Sequence, residues 1–456
     1  MGASSGRINA DLLLPHPATV SRNVTKLYLA KRKILKEQLQ QADFFCMVVD
    51  HWESRFLHCK FVGISVKYMF EKKVKSNLLW FRQILDGKSA TSFDVIDKCL
   101  REFGLSETPC HAVSDNAANM VSCFKNCSWN GCACHQLCTV MKDAFKNLDK
   151  TADKNLLNLT ANVKSLVEYV NRTKKLNIVL RNEIEIRFDS KYLMLNDVVT
   201  KWQLLQREAE EEKETRLADL IRSIDYGLML ELNRFLEFLF KFRVRLSENN
   251  RSTINLVLPT EVRIKEALSV EDENGDDRLV RLKSNYLNSF KSKFKVTGVH
   301  YHATFLTPQF KELNGLADEK TKKEILEQID EKIGRQRTDS TVQDEQADTD
   351  DDEDLFRSFR STTVKRARVE TETERYLSDI FTAEELKMDP IEFWTKRAVS
   401  YPNLSAYALK VLIIPASSCL IEEVFSQCGL MLTSRRNSVL PEKAHQNMFL
   451  KINNDL

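Results

Sequence analysis

The chain has 456 residues, 43% of them hydrophobic, and its 68 Lys and Arg residues nearly balance its 65 Asp and Glu residues. This length allows two or three domains, and the small net charge of +3 gives no general sign of a nucleic-acid-binding surface. No apolar run approaches the roughly 20 residues of a membrane span, and we recognise no secretory signal, so we expect no membrane insertion and reduced cysteines.

The first part of the chain alternates strand-like and helix-like segments. Residues 1–40 are polar with a mostly helical pattern. Runs rich in branched and aromatic residues at 44–50, 61–70 and 77–84 predict three strands. A helical pattern at 90–103, a strand-like run at 111–115 and a second helix follow. This order, βββαβα, predicts an α/β fold.

The middle of the chain changes character. Residues 142–314 carry long amphipathic patterns with few Gly and Pro residues, most clearly at 228–246, which predicts an all-α region. Residues 335–375 include an almost wholly acidic stretch at 348–354 and cannot form a core. The basic cluster Lys365-Arg366-Ala367-Arg368 is either a nuclear import signal, which would place the protein in the nucleus, or a solvated charge run.

The C-terminal residues carry the most specific pattern in the sequence. Its parts are Asp389-Pro390, Phe393-Trp394, Tyr401-Pro402, Ile414-Pro415-Ala416-Ser417-Ser418, Glu422, Phe425-Ser426, Gly429, Arg436 and Leu440-Pro441. This ordered set resembles the C-terminal dimerisation block of the hAT superfamily of DNA transposases. The resemblance implies an RNase H-like catalytic fold interrupted by an all-α insertion, and assembly into a homodimer or larger homo-oligomer.

The pattern and the resemblance together predict five regions. Residues 1–40 are a helical lead-in, and 41–148 form the first part of the RNase H-like core. Residues 149–334 form the all-α insertion domain, and 335–380 form a disordered acidic linker. Residues 381–456 form a helical dimerisation region that completes the core.

Two aspartates are candidates for metal-dependent chemistry. Asp50 and Asp115 end two predicted strands, where side chains project from the sheet. Carboxylates there can hold Mg²⁺ or Mn²⁺, and two such ions can activate water and stabilise a leaving 3′ oxygen. The resemblance implies that Glu422 is the third ligand of this DDE site, although Glu423 stands where the family typically has Arg. The alternative is that all three are ordinary turn-forming or helix-capping acids.

Other residues are candidates for contacts with DNA. The phrase Arg-Phe-Asp-Ser at 187–190 resembles Arg-Trp-x-Ser in the family, which implies that Phe188 stacks on a base and that Arg187 holds phosphate. The alternative for Phe188 is a core role. Cys132 and His135 match the family's Cys-x-x-His pair, which implies a role either in packing or in contact with DNA. Arg436 is a further candidate for DNA binding. The nearby cysteines lack the paired spacing of a structural zinc site, so we expect no zinc.

These observations predict a hAT transposase-like protein that dimerises, binds DNA and carries out metal-dependent phosphoryl transfer. We expect no small-molecule substrate. Family members commonly begin with a BED-type zinc finger, and no Cys₂His₂ arrangement precedes residue 40, so we expect a truncated or host-adopted derivative. The alternative is a domesticated, non-catalytic dimer that acts as an interaction protein in transcription or chromatin.

Overall fold

A computed structural model describes residues 16–456 apart from 55–58, 85, 87, 174–177, 184–187, 212–214, 270–276, 336–369 and 432–439. The acidic stretch at 348–354 and the basic cluster at 365–368 therefore lie outside the described residues. The chain divides into two compact units. The first comprises residues 1–296 and 413–456, and the second comprises residues 297–412.

The first unit contains a five-stranded mixed sheet with the order β3-β2-β1-β4-β5. Its strands are β1 (Phe45–Ser54), β2 (Cys59–Phe70), β3 (Lys73–Ile84), β4 (Cys110–Ser114) and β5 (Trp129–Gly131). β2 pairs antiparallel with both β1 and β3. β4 pairs parallel with both β1 and β5. The order places β1, with its apolar run Phe45-Cys46-Met47-Val48-Val49, at the centre of the sheet.

Helices cover both faces of this sheet. On one face, Met47 and Val49 of β1 share a core with α1 (Pro17–Leu39) and α2 (Ser89–Phe103). On the other face, Val48 shares a core with α18 (Cys419–Met431) and α19 (Pro441–Ile452). Since side chains alternate along a strand, Asp50 points to the same face as Val48, toward α18.

The remaining helices of the first unit follow the sheet. They are α3 (Ala118–Cys123), α4 (Ala133–Lys146), α5 (Lys154–Thr173), α6 (Phe188–Thr200), α7 (Trp202–Glu211), α8 (Thr215–Arg222), α9 (Tyr226–Leu246), α10 (Val257–Ser269) and α11 (Val280–Lys293). Long α9 buries Leu228, Leu232, Leu236 and Leu239 in the core that α4 to α11 share, and this spacing of three or four residues marks a single helical stripe.

The second unit is helical in its described part and has an aromatic core. Its helices are α12 (Gly298–Phe305), α13 (Glu319–Arg335), α14 (Glu372–Ser378), α15 (Ala383–Lys387), α16 (Pro390–Arg397) and α17 (Pro402–Leu412). Tyr376 and Trp394 lie at the centre, with ring centroids 4.9 Å apart. The indole N–H of Trp394 donates to the carbonyl of Leu306 at 2.6 Å, which satisfies the polar atom of a fully buried ring.

The predicted α/β class is confirmed in its coarse form, a mostly helical chain with a mixed sheet. The first four strands and the helix at 90–103 lie where the sequence predicts them. The prediction that Asp50 ends its strand was wrong, because β1 continues to Ser54 in register with β2. The predicted domain limits differ from the two compact units and stay a prediction. None of the described helices is long and apolar enough to span a membrane.

Candidate active site

Asp50 and Asp115 lie side by side because of strand register. β1 and β4 run parallel, and their last pair is Val49 with Ser114. Asp50 and Asp115 are therefore the next residues on two neighbouring strands, at the level where the pairing ends. Asp50 remains paired with Gly63 of β2, so β2 supports it from the other side. The placement of both carboxylates at one level of the sheet follows from the backbone alone.

Helix α18 brings the third acid to the same place. Glu422 lies in its first turn, and the helix packs on the sheet through Ile421 and Phe425. A Cβ atom at Gly63 would lie 2.6 Å from Ile421 Cδ1 and 2.8 Å from Phe425 Cε1. Any side chain at Gly63, opposite Asp50, would thus push α18 outward. Gly63 lets Glu422 approach the aspartates.

The charges of Asp115 and Glu422 act on Asp50. Burial raises the pKa of Asp50 well above its usual range, and the charges of Asp115 and Glu422 raise it further. A hydrogen bond from the His51 N–H to Asp50 Oδ1, 2.7 Å long, opposes this effect without cancelling it. Strand register therefore places the two aspartates side by side, the charge of Glu422 reaches Asp50, and the catalytic role of the three acids stays a prediction.

Neutral side chains fix the loop that carries Asp115. Its Oδ1 accepts from the Ala117 N–H at 3.3 Å. The amide of Asn116 donates to the Cys132 carbonyl at 3.1 Å and accepts from Gln136 at 3.2 Å. Gly131 makes room for this amide, since a Cβ there would lie 1.8 Å from Asn116 Oδ1. The sequence analysis missed these positioning residues, although Asn116 directly follows the predicted aspartate.

His51 links the site to two helices. Its Nε2 lies 3.0 Å from the Ser92 hydroxyl on α2, and its Nδ1 lies 3.4 Å from the Asn119 amide on α3. Burial lowers the pKa of His51, while the charge of Asp115 opposes that shift. The sequence analysis did not single out His51, even though it directly follows Asp50.

Cys132 has a packing role. Its side chain is 0% exposed, and its sulfur accepts from the backbone N–H groups of His135 and Ser418, both at 3.3 Å. Burial raises the pKa of this thiol, but hydrogen bonds from Cys134 and Ser418 outweigh burial and leave it lowered. The thiol thereby ties the start of α18 to α4. The predicted contact of Cys132 with DNA was wrong because its side chain is enclosed, whereas His135 is exposed.

The segment 187–190, a candidate for contact with DNA, is only partly described. Arg187 lies outside the described residues, as does Arg436, and the side chain of Phe188 is not described, although Phe188 begins α6. The next residue, Asp189, is buried and forms a 2.8 Å ion pair with Arg243 of α9. The negative charge of Asp189 raises the pKa of Arg243 despite its burial. The ion pair therefore links the start of α6 to α9.

Glu423, where the sequence departs from the family pattern, also has a partner. The Asn249 amide donates to Glu423 Oε1 at 2.8 Å. Burial raises the pKa of Glu423, and the neighbouring charge of Glu422 adds to the shift. Glu423 thus faces Asn249 beyond α9 and not the two aspartates.

The donor chemistry of the site suits a hard divalent cation. The side-chain charges that act most strongly on Asp50 are all negative, and a cation would relieve their repulsion. The oxygen donors would come from Asp50, Asp115 and Glu422. Within the described part of the chain, no group of three or more His, Cys, Asp and Glu side chains has the arrangement of a metal site.

Comparison with known proteins agrees with this architecture. Residues 372–453 match the hAT family C-terminal dimerisation region. The chain is 24% identical to an AC transposase of Zea mays over 83% of its length, and 23% identical to the Hobo transposase of Drosophila melanogaster over 45%. It is 26% identical to zinc finger protein 618 of Mus musculus over 52%. The matches cover 48%, 33% and 24% of these relatives, so the chain spans about half of their length or less. On these grounds residues 372–453 are similar to the hAT dimerisation region, and the chain is similar to two transposases.

Proposed function

We propose that the chain is a DNA-binding, homodimeric hAT transposase-like protein whose site at Asp50, Asp115 and Glu422 cleaves DNA by metal-dependent phosphoryl transfer. The observation that carries this proposal is the placement of Asp50 and Asp115 at one level of the sheet, with the charge of Glu422 acting on Asp50 from α18. The transposases among its relatives favour this activity over the non-catalytic alternative. The strand order, three antiparallel strands followed by two parallel ones, supports an RNase H-like core.

The three acids would hold Mg²⁺ or Mn²⁺, which supplies a polarised water and stabilises the leaving oxygen of the phosphodiester. Asp50 is fixed by β1 and by the His51 N–H, and Asp115 by the loop held through Asn116. Glu422 is fixed by the packing of α18 on Gly63. Because these supports are backbone and packed side chains, the carboxylates are held before DNA arrives, as phosphoryl transfer requires.

DNA would be held beside this site. His135 lies exposed on the first turn of α4 and is available for phosphate or base contact. We also propose that Arg187 and Arg436 bind phosphate and that Phe188 stacks on a base. The basic cluster at 365–368 supports action in the nucleus.

A nicking assay on supercoiled plasmid tests the proposal. Wild-type protein should relax the plasmid in Mg²⁺ or Mn²⁺ and not in EDTA. Asp50→Asn, Asp115→Asn and Glu422→Gln should each lose at least about a hundredfold in rate, since each amide keeps the shape and loses a ligand charge. Glu423→Gln is the matched control and should retain activity. Equal rates in wild type and in the three variants would contradict the proposal.

A further inference from the structure

Ile380 is an unusual surface residue of the second unit. Its side chain is 96% exposed in the short segment between α14 and α15. Among the large apolar residues described as exposed, only Val399, at 95%, is comparable. Both residues lie within the region matched as the dimerisation region. A single exposed apolar side chain is common on monomers, so the surroundings of Ile380 decide its meaning.

The residues on both sides of Ile380 are fixed. The Tyr401 hydroxyl donates to the Asp379 carboxylate. The ammonium of Lys311 donates to the backbone carbonyls of Leu377, at 2.8 Å, and of Asp379. Phe381 is buried, with its ring centroid 5.1 Å from that of Phe393. The isoleucine is therefore presented outward by an anchored backbone.

A cavity of about 500 Å³ opens directly beside Ile380. Its walls come from residues 308–316, which follow α12, and from the segment that joins α14 to α15. Phe310, Leu316, Leu377 and Leu386 line it and are only half-buried. This leaves apolar surface exposed inside a cavity large enough for one isoleucine side chain. A protruding apolar side chain thus stands at the edge of a cavity whose wall is partly apolar, on the same face of the second unit.

We propose that Ile380 of one copy of this chain inserts into this cavity of a second copy, and that the second copy does the same in return. A surface that carries both a protruding side chain and a cavity that can receive it is self-complementary. A two-fold symmetric contact requires such a surface. Apolar anchors in pockets dominate interface energies. The occupant is a second copy because six of the fourteen residues that line the cavity, those between 377 and 386, lie in the matched dimerisation region. This inference rests on the proposed homodimer.

The test compares the two most exposed apolar residues in the full-length protein. Sedimentation equilibrium of wild type should show a dimer. Ile380→Glu should raise the dimer dissociation constant by roughly a hundredfold, because each of two symmetric contacts is worth about tenfold or more. Val399→Glu adds the same charge at an equally exposed position in the same region and should leave the constant unchanged.

The outcomes separate the two claims. A monomeric wild-type protein would overturn the homodimer and the inference together. A wild-type dimer that Ile380→Glu leaves intact would overturn the inference alone, as would equal weakening by both variants. Leu316→Trp provides a second probe, because it narrows the cavity without changing Ile380. It should weaken the dimer while circular dichroism remains that of wild type, and an unchanged dissociation constant would count against the cavity as the contact.

Discussion

At the scale of single residues, the carboxyl group of Asp50 lowers the stability of the folded protein at neutral pH. Its folded-state pKa is raised, so the folded protein binds this proton more tightly than the unfolded chain does. Its contribution to stability is therefore greatest below the unfolded pKa of about 3.9 and is lost as pH rises through the folded value. At pH 7 the burial of Asp50 and the negative charges beside it therefore destabilise the fold.

Asp50→Asn should consequently stabilise the protein at pH 7, by roughly 1–3 kcal/mol, because the amide carries no charge to desolvate. Urea unfolding at pH 7 and at pH 4 measures the effect, and the gain should shrink at the lower pH. Glu53→Gln, on the exposed part of the same strand, is the control and should change little. If Asp50→Asn were less stable than wild type at pH 7, burial and charge repulsion at Asp50 would not destabilise the fold.

His445 predicts a separate response to acid. Its Nδ1 accepts from the Phe81 N–H at 3.3 Å, its Nε2 lies 3.0 Å from the Tyr28 hydroxyl, and burial lowers its pKa to about 3. The unfolded chain takes up this proton below about pH 6.5, so stability is complete above that value. As pH falls toward 3, stability should decrease by roughly 1.4 kcal/mol per unit from this group.

Chemical denaturation of wild type and His445→Asn between pH 4 and 7 measures that contribution. The variant keeps an acceptor near the Phe81 N–H and should show a distinctly flatter profile. The slope should not vanish, since burial also lowers the pKa of His111, to about 4. His135→Asn, which alters an exposed histidine, should retain the wild-type slope. If the stability of wild type and that of His445→Asn changed equally with pH, the lowered pKa of His445 would not account for the loss of stability in acid.

The sequence predicted the three candidate site residues unequally. Asp50 and Asp115 could be found from apolar runs that each end in an acid, because parallel strands with such ends bring the acids together. No local pattern marks Glu422, which lies on a helix far along the chain and was found only through the resemblance. Gly63 could not be found either. Its importance depends on which helix packs over it, and that is a property of the tertiary structure.

At the scale of elements, the approach of α18 to the sheet is the feature on which the site depends. Gly63→Ala should destabilise the protein by roughly 1–3 kcal/mol, because the added methyl group overlaps Ile421 and Phe425. It should also lower nicking activity by moving Glu422 away from Asp50. Thermal unfolding and the nicking assay measure the two effects.

Gly429 supplies the matched control on α18 itself. A Cβ there would meet nothing closer than Trp52 Cζ2 at 4.0 Å. Gly429→Ala should therefore be neutral or should stabilise the helix by roughly 0.5–1 kcal/mol. If Gly63→Ala were as harmless as Gly429→Ala, the close packing of α18 on β2 would be wrong.

Elements with strong periodicity were predicted well, and short or polar ones were not. β2 and α9 lie on stretches of sequence in which the spacing of apolar residues reflects which side chains are buried. β5 has only three residues, Trp129–Gly131, too few for alternation to be read. The last part of β1 was missed because His51, Trp52 and Glu53 are only partly buried or exposed, so they lack the apolar signal of the strand's first half.

At the scale of the whole molecule, the proposed DNA binding should depend strongly on salt. The net charge is only +3, so affinity must come from local phosphate contacts that release counterions. Fluorescence anisotropy with duplex DNA should show affinity falling by about tenfold or more between 50 and 200 mM salt. Asp50→Asn should bind with the same salt dependence, since that substitution removes a metal ligand and no phosphate contact. Affinity independent of salt would exclude this mode of binding.

The account rests on one claim, that Asp50, Asp115 and Glu422 form a single metal-binding site. Mn²⁺ titration followed by electron paramagnetic resonance tests this claim directly, because Mn²⁺ that is bound to the protein no longer contributes to the signal of the free ion. Wild type should bind Mn²⁺, and Asp50→Asn, Asp115→Asn and Glu422→Gln should each weaken binding by about tenfold or more, while Glu423→Gln binds normally. If Glu422→Gln bound Mn²⁺ as tightly as wild type while the two aspartate variants did not, the three acids would not form one site.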